Sequence, residues 1–255
     1  MVRQGVMVQS IERAIQILNC FDGSHPELSL NAIAAELNLN KSTAHGILNT
    51  LKHYGLVEQD EERGRYRLGM HLLTLGNRLL DRLEIRAVAG PVIQELSERV
   101  GETIHLVVLK GTDVVYIDKC VANRSFQVFT AIGMTFPAYV TGVGKVLLAD
   151  KSDEELLEVI PPILEKATEY SIGSREELLK YLAQVRKQGY AFDKEENEIG
   201  LSCVAAPIFD YSGKAVAAIS VAGPTARLTD ERMQELVDIV RDAAREISRR
   251  LGHRI

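Results

Sequence analysis

Near the start of the chain, apolar residues recur at helical spacing three times. In "SIERAIQILNCF", Ile11, Ala14, Ile15 and Leu18 fall at i, i+3, i+4 and i+7 behind Ser10, a good N-cap. "LSLNAIAAEL" repeats the pattern with Leu30, Ile33, Ala34 and Leu37 behind Ser29. "NKSTAHGILNTLKHYG" repeats it with Ala44, Ile47, Leu48 and Leu51 behind Asn40, ending near Gly55. Three short helices with one stripe each can bury those stripes together, and the "NLN" turn is as short as a helix-turn-helix requires. The period then drops to 2. Across "GLVEQDEERGRYRLG", Val57 and Gln59 alternate, a polar turn carries Gly64, and Arg65 to Leu68 alternate again, which predicts a β-hairpin.

A leucine-rich stretch follows. Leu72, Leu75, Leu79 and Arg82 share one helical face, flanked by Leu73, Leu80 and Leu83. This apolar surplus comes after a small domain that already has a core. It predicts a connecting helix packed against a second copy, with packing inside its own chain as the alternative. Pro91 suits an early turn of the next helix, whose Val92, Ile93 and Leu96 face a core. Beyond it the pattern mixes. "TIHLVVLKGTDVVYIDKC" and "CVAAPIFDYSGKAVAAISVAG" each read as two strands joined by a turn, and "FQVFTAIG" as another strand. "SREELLKYLAQVRKQG" is a helix ending at Gly189, and "TDERMQELVDIVRDAAREISRRLG" a helix capped by Thr229. Hairpin-linked strands flanked by helices predict an α+β sensor sheet rather than a doubly wound one.

The polar face of the third helix carries the first candidate chemistry. Ser42, His45, Asn49 and Lys52 are spaced 3, 4 and 3 and line one side, with no carboxylate among them. Lys41 and Thr43 fall in the first turn, where side chains and free N–H groups can meet a phosphate. Asn can pair with adenine, Ser and Thr with bases or phosphates, and Lys with phosphate or guanine. Arg63, Arg65 and Arg67 on the hairpin suit a wing against the sugar-phosphate backbone or the minor groove. The alternative is an amphipathic three-helix cap with a solvated hairpin.

Charge distribution favours the nucleic-acid reading. The formal net charge is −5, yet residues 1–82 hold nine Lys and Arg against nine Asp and Glu, so the excess belongs to residues 83–255. With 255 residues, 46% of them hydrophobic, there is ample material for a core. The longest apolar runs are too short to span a bilayer and no signal-peptide core opens the chain, which predicts a cytoplasmic protein. Cys20, Cys120 and Cys203 are far apart with no CxxC pair, so neither a disulfide framework nor a zinc ribbon is expected.

No enzyme signature emerges. "TGVGKVLLA" resembles a phosphate loop but has Tyr139 where a glycine is needed and Val146 where Ser or Thr is needed. Gly142 and Gly144 precede or open an apolar helix whose free N–H groups could hold a small carboxylate. Asp193 and Cys203 in "AFDKEENEIGLSC" could line a pocket, bind a metal, or be merely solvated and buried respectively. No nucleophile–base–acid order is recognisable, and the six histidines form no HxH or HExxH. A metal- or redox-responsive regulator using Cys203 and Asp193 stays open, as does a small-molecule enzyme with an N-terminal oligomerisation region. No cofactor or metal is expected.

Taken in order, "SIERAIQIL", "LSLNAIAAELNLNKSTAHGILNTLKHYGLV", "RYRLG", "TGVGKVLLA", "GYAFDKEENEIGLSCVAAPIFD" and "AAISVAGP" resemble the IclR family of bacterial transcriptional regulators over nearly the whole chain. The resemblance implies a winged helix-turn-helix over 1–70, a linker helix over 71–83 and a GAF-like effector-binding domain over 84–255. It also implies a repressor of double-stranded operator DNA, a homodimer through the DNA-binding regions and pairing of dimers through the effector domains. The effector it implies is a small organic acid. Carried over position by position, the effector pocket would use Met134, Phe136, Gly142, Val143, Asp193, Leu201, Cys203 and Ser220. Two positions depart from the family: many members carry arginine where Gly46 stands and a second serine where Ala222 stands. The "KSTAHGILNTLK" form is similar to the branch that includes regulators of 2-keto-3-deoxygluconate and related sugar acids.

Overall fold

Ile17, Ile33, Leu48 and Leu51 meet in one small core, closed by Val57 and Tyr66. They lie in the first of two units into which the computed structural model divides, Met1–Arg82 and Leu83–Ile255. The structure describes residues 7–60, 62–80, 84–122 and 130–254, with backbone alone at 77, 79 and 80.

Helix α1 (Gln9–Asn19) begins one residue before the expected Ser10 cap, and Val8 at its N-cap supplies no capping side chain. Its buried face also differs from the predicted stripe. Ile17 is buried with Ala14 and Leu18 packed beside it, while Ile11 and Ile15 are exposed. The stripe as read held two overlapping faces, and packing selected the one bearing Ile17. Strand β1 (Leu28–Ser29) leads into α2 (Leu30–Glu36), where Ser29 Oγ accepts from the Ala32 amide as expected. Asn38 then takes a left-handed conformation (φ 50°), which asparagine tolerates, and Leu39 N–H donates to Ala34 O at 2.8 Å. That tight turn launches α3 (Lys41–His53), which buries Ala44, Leu48 and Leu51. Asn40 occupies the N-cap position but its side chain makes no cap bond, contrary to expectation.

The hairpin forms as β2 (Val57–Gln59) and β3 (Arg65–Leu68), and β1 adds a third strand in the order β1-β3-β2. Two residues were too few for the sequence pattern to reveal β1. Tyr66 turns inward and is almost fully buried, so the pleat sends Arg65 and Arg67 outward. Helix α4 (His71–Leu80) follows, with Leu73 and Leu75 exposed. Arg82 and Leu83 of the expected leucine face lie outside the described residues, as does the side chain of Leu79.

The second unit opens with α5 (Glu84–Val100), longer at its start than expected. Pro91 is therefore its eighth residue, not part of an early turn, and the bond that an amide there would make to Ala87 O cannot form. Strands β4 (Thr103–Lys110) and β5 (Asp113–Cys120) form the first predicted hairpin. Most of the strand expected over 126–133 lies outside the described residues. The short third strand here is β6 (Thr135–Pro137), followed by a 3-10 turn at Ala138–Val140. Then come α6 (Gly142–Leu148), α7 (Asp153–Val159) and α8 (Arg175–Gln188), the last ending at Gly189 in a left-handed conformation (φ 76°). Strands β7 (Ala191–Lys194), β8 (Leu201–Phe209) and β9 (Ala215–Pro224) precede α9 (Asp230–Arg250), capped by Thr229 Oγ1.

All six strands of this unit pair antiparallel in the order β6-β5-β4-β9-β8-β7, which agrees with the α+β expectation. Both faces are covered. Ile104, Leu106, Val204, Ile208, Ile219 and Val221 pack with α5 and α9 on one side. Val107, Val114, Ala205 and Ala218 pack with α6, α7 and α8 on the other. A strand buried on two faces reads as a continuous apolar run, which explains "VAAPIF" and "AVAAISVAG". Alanines on the second face let α6 lie close. At Gly144 an added Cβ would sit 2.1 Å from Ala138 O, so this helix cannot accept a side chain there.

Two glycines of similar appearance should thus respond oppositely to alanine. Gly46 in α3 is exposed with open space where a Cβ would go, and Gly46→Ala should stabilise the protein by about 1 kcal/mol through helix propensity. Gly144→Ala should destabilise it by about 1–3 kcal/mol or more through overpacking. Urea unfolding of both variants checks this, and a destabilising Gly46→Ala would show that the glycine is needed by the fold.

Candidate functional site

In the first unit, α3 presents its polar residues opposite its buried stripe. Lys41, Ser42, His45, Asn49 and Lys52 are exposed and Thr43 half-buried. Asn49 Nδ2 lies 3.4 Å from His45 Nδ1, and Lys52 Nζ donates to Gln59 Oε1 at 3.2 Å. Thr50 Oγ1 donates back to Gly46 O, so Gly46 occupies an otherwise regular turn. Arg63 and Arg65 on the hairpin are exposed. Arg67, expected as a third wing arginine, is engaged inside the hairpin. Its Nε and Nη2 both donate to Glu58 Oε2 at 3.1 Å, and Glu58 Oε1 accepts from the Met70 amide. The cross-strand register, with Glu58 opposite Arg67, produces this pair.

The second unit holds a small cavity between the sheet and α6. Strand register assembles its floor. Asp193 on β7 lies opposite Cys203 on β8, Cys203 opposite Ala222 on β9, and Ser220 opposite His105 on β4. Side chains alternate across a sheet, so these residues share the face beneath α6. Phe136, Val143, Leu201, Tyr116 and Thr141 complete much of the wall. Of the eight positions carried over from the family, Phe136, Val143, Asp193, Leu201, Cys203 and Ser220 are thus brought together. Met134 and Gly142 are not in the lining. Met134 Sδ accepts from the Ala131 amide in the preceding turn, and the Met134 carbonyl accepts from Tyr116 N–H. Gly142 makes room for the floor, since a Cβ there would meet Cys203 Sγ at 2.9 Å. The expected free amides at the start of α6 are also partly used, because Thr141 Oγ1 accepts from Gly144 N–H at 3.0 Å.

Sequence reasoning missed His105, Tyr116, Thr130, Thr141, Asn197 and Glu198. One signal was available: Thr103 and His105 are polar at period 2 in the otherwise apolar "TIHLVVL". His105 Nε2 is 2.8 Å from Thr130 Oγ1, and its ring meets Tyr116 edge-on. Burial, reinforced by Lys119, depresses its pKa to about 3, so the imidazole is neutral. Burial raises the Cys203 thiol far above its ordinary value, with Asp193 adding to the effect, which leaves an inert neutral thiol. Among the described residues, no group of three or more His, Cys, Asp or Glu is placed to hold a metal ion.

Beside this floor, on α6, lies the least expected feature, a fully buried lysine. Lys145 of α6 donates to Glu196 Oε1 in the β7–β8 turn, and its Nζ sits 4.8 Å from the Tyr181 ring centroid. The turn is held firmly. Asp193 Oδ1 accepts from Glu196 N–H at 2.8 Å, while Thr168 and Ser171 donate to the Glu195 and Glu196 carbonyls at 2.6 Å each. Glu195 is left-handed (φ 60°) within it. Two carboxyl groups therefore share one buried cation. Burial raises Glu196 against the lowering effect of Lys145. Burial raises Asp193 to about 7, again opposed by Lys145. The cavity itself is tight, with about 20 Å³ of solvent space, about one water's room. A larger, open groove of about 660 Å³ beside α5 and the end of β5 has no comparable convergence of buried polar groups.

Two family models match this chain: the IclR helix-turn-helix domain over residues 10–61 and the bacterial transcriptional regulator IclR C-terminal domain over residues 77–249. The chain belongs to the IclR family. It is 38% identical to the HTH-type transcriptional regulator XynR of Escherichia coli K12, covering 97% of this chain and 98% of XynR. It is 36% identical to the regulator KdgR of the same organism, covering 98% and 95%. Its structure is similar to that of an IclR homologue from Microbacterium hydrocarbonoxydans complexed with 4-hydroxybenzoate, with a TM-score of 0.84 and 26% identity over 95% of this chain and 99% of that one. As an IclR-family member, this protein is a DNA-binding transcriptional regulator and not an enzyme. Among the described residues, no helix is long and apolar enough to cross a membrane.

Lys145→Met should cost about 3–5 kcal/mol in urea unfolding at neutral pH, because it strands a buried carboxylate. Adding Glu196→Gln should restore most of that loss; an undiminished loss in the double variant would show that Lys145 acts by packing alone. Asp193 has a distinct pH signature. Its folded pKa is raised, so the unfolded chain ionises first as pH rises and the contribution of Asp193 to wild-type stability falls between about pH 4 and 7. The stability advantage of Asp193→Asn over wild type should grow across that window and level off above it. A constant difference would sink the assignment.

Proposed function

We propose that this protein is a cytoplasmic repressor that binds double-stranded operator DNA as a homodimer and responds to a small carboxylate held in the α6–sheet cavity. The observation that carries the DNA part is the acid-free polar face of α3, with Ser42, His45, Asn49 and Lys52 opposite a fully committed apolar stripe. Recognition helices of this class enter the major groove, where such side chains reach base edges. The amide groups of the first α3 turn receive no cap from Asn40, which suits a phosphate beside Lys41 and Thr43. Arg63 and Arg65 are the wing contacts; Arg67 joins them only by exchanging Glu58 for phosphate. The exposed Ile11, Ile15, Leu73 and Leu75 supply apolar surface for self-association, and the family pattern extends to a dimer of dimers.

For the effector, the supports are the converging polar groups of the cavity and the relatives. The 4-hydroxybenzoate of the Microbacterium homologue and the similarity to KdgR both favour an organic acid, with a sugar acid such as 2-keto-3-deoxygluconate as the leading candidate. Phe136, Val143, Asp193, Leu201, Cys203 and Ser220 are the contact residues in this proposal. The tight cavity must expand to admit such a ligand. By linkage, an effector that lowers operator affinity is itself bound less tightly by the DNA complex.

Binding to the protein's own promoter region should weaken steeply between 50 and 200 mM salt, as phosphate contacts release counterions. A flat salt response in an electrophoretic mobility or anisotropy titration would overturn the DNA reading. Asn49→Ala should reduce discrimination between operator and unrelated DNA by about 1–3 kcal/mol. An equal loss on both would make Asn49 a backbone contact.

A further inference from the structure

We propose that the cavity takes up a carboxylate ligand together with one proton, and that the proton resides on Asp193. This rests on the effector role proposed above. The geometry motivating it is a charge imbalance. Among the described lining residues there are two acids, Asp193 and Glu198, and no lysine or arginine. The nearest buried cation, Lys145 of α6, lies outside the lining and is already bound to Glu196.

The groups packed around Asp193 are these. From α6 comes Lys145, and from α8 the Tyr181 ring beneath it. The β7–β8 turn supplies Glu196, whose amide donates to Asp193 Oδ1, and Glu198 at the rim. Cys203 lies directly opposite on β8, with Tyr116 on β5 close enough to feel both. His105 on β4 is neutral, and Lys119 stands behind Thr130, donating to its carbonyl at 2.9 Å. With Asp193 ionised, Lys145, Glu196 and Asp193 together carry one negative charge. A ligand carboxylate would make it two in a poorly solvated space, where like charges repel strongly. With Asp193 protonated the cluster is neutral before the ligand arrives. The acid keeps Oδ1 as acceptor for the Glu196 amide and turns its other oxygen into an O–H donor toward the ligand. No bond other than this O–H is made, and the proton comes from solvent.

The free-state pKa of about 7 places the transition in an accessible range. Affinity for a monocarboxylate should be flat below pH 6 and weaken by up to about tenfold per pH unit above 7. Calorimetric titration of the full-length protein with 2-keto-3-deoxygluconate and with 4-hydroxybenzoate, from pH 6 to 8.5, reads this directly. At pH 8, buffers of different ionisation enthalpy should give different heats, reporting close to one proton taken up. Asp193→Asn preserves the acceptor and offers a permanent N–H donor. Its affinity should be independent of pH and about thirtyfold tighter than wild type at pH 8.5, whereas Ser220→Ala should weaken binding at every pH and keep the slope. Wild-type affinity that is flat or rises with pH, or heats independent of buffer, would overturn the proton uptake while leaving the effector role standing. If neither acid binds at any pH, the carboxylate-effector role fails, and this inference with it.

Discussion

The second unit is organised around the cost of burying Lys145. A lysine with no solvent exposure persists only if its charge is met, and Glu196 meets it. That one pair ties α6 to the β7–β8 turn. The turn in turn carries Asp193 and Asn197 into the cavity wall, and α6 carries Val143. The backbone around the pair is correspondingly restrained: Glu195 is held left-handed, Thr168 and Ser171 grip the turn carbonyls, and Tyr181 bridges the N–H and C=O of Phe192. A ligand in this cavity would meet a wall positioned by a salt bridge outside its lining, with the protonation of Asp193 governed first by burial.

In the first unit the constraint is size. Among the described residues, seven buried side chains form its core cluster, and α1, α2 and α3 each spend one face on it. Tyr66 fills the gap between hairpin and helices, and its inward direction forces Arg65 and Arg67 outward. The polar face of α3 is what remains after that packing is satisfied. The absence of acids from the face matters more to DNA than the balance of the whole chain, because phosphate responds to charges within about one Debye length.

Much of this was legible because periodicity survives folding. The three helices, both long hairpins, Ser29 and Thr229 as caps, and Gly189 as a stop all follow from spacing and local chemistry. The failures share a cause. Ile11 and Ile15 belong to a plausible stripe, yet the core took Ile17; Pro91 has a helix-starting character, yet α5 begins seven residues earlier. Each depends on a partner remote in sequence or on competition between neighbouring faces.

By itself, the sequence determined the class of elements, the separation of an uncharged-overall first part from an acidic second part, and the composition of the α3 polar face. These are local properties, since residues three or four apart share a helix face whatever surrounds it. Tertiary structure alone decided which residues form the cavity. Asp193, Cys203, Ser220 and His105 become neighbours through strand register, and Lys145 becomes a buried cation only because Glu196, 51 residues away, closes over it. Register and burial are set by long-range pairing, and so are the shifted protonation equilibria of Asp193, His105 and Cys203.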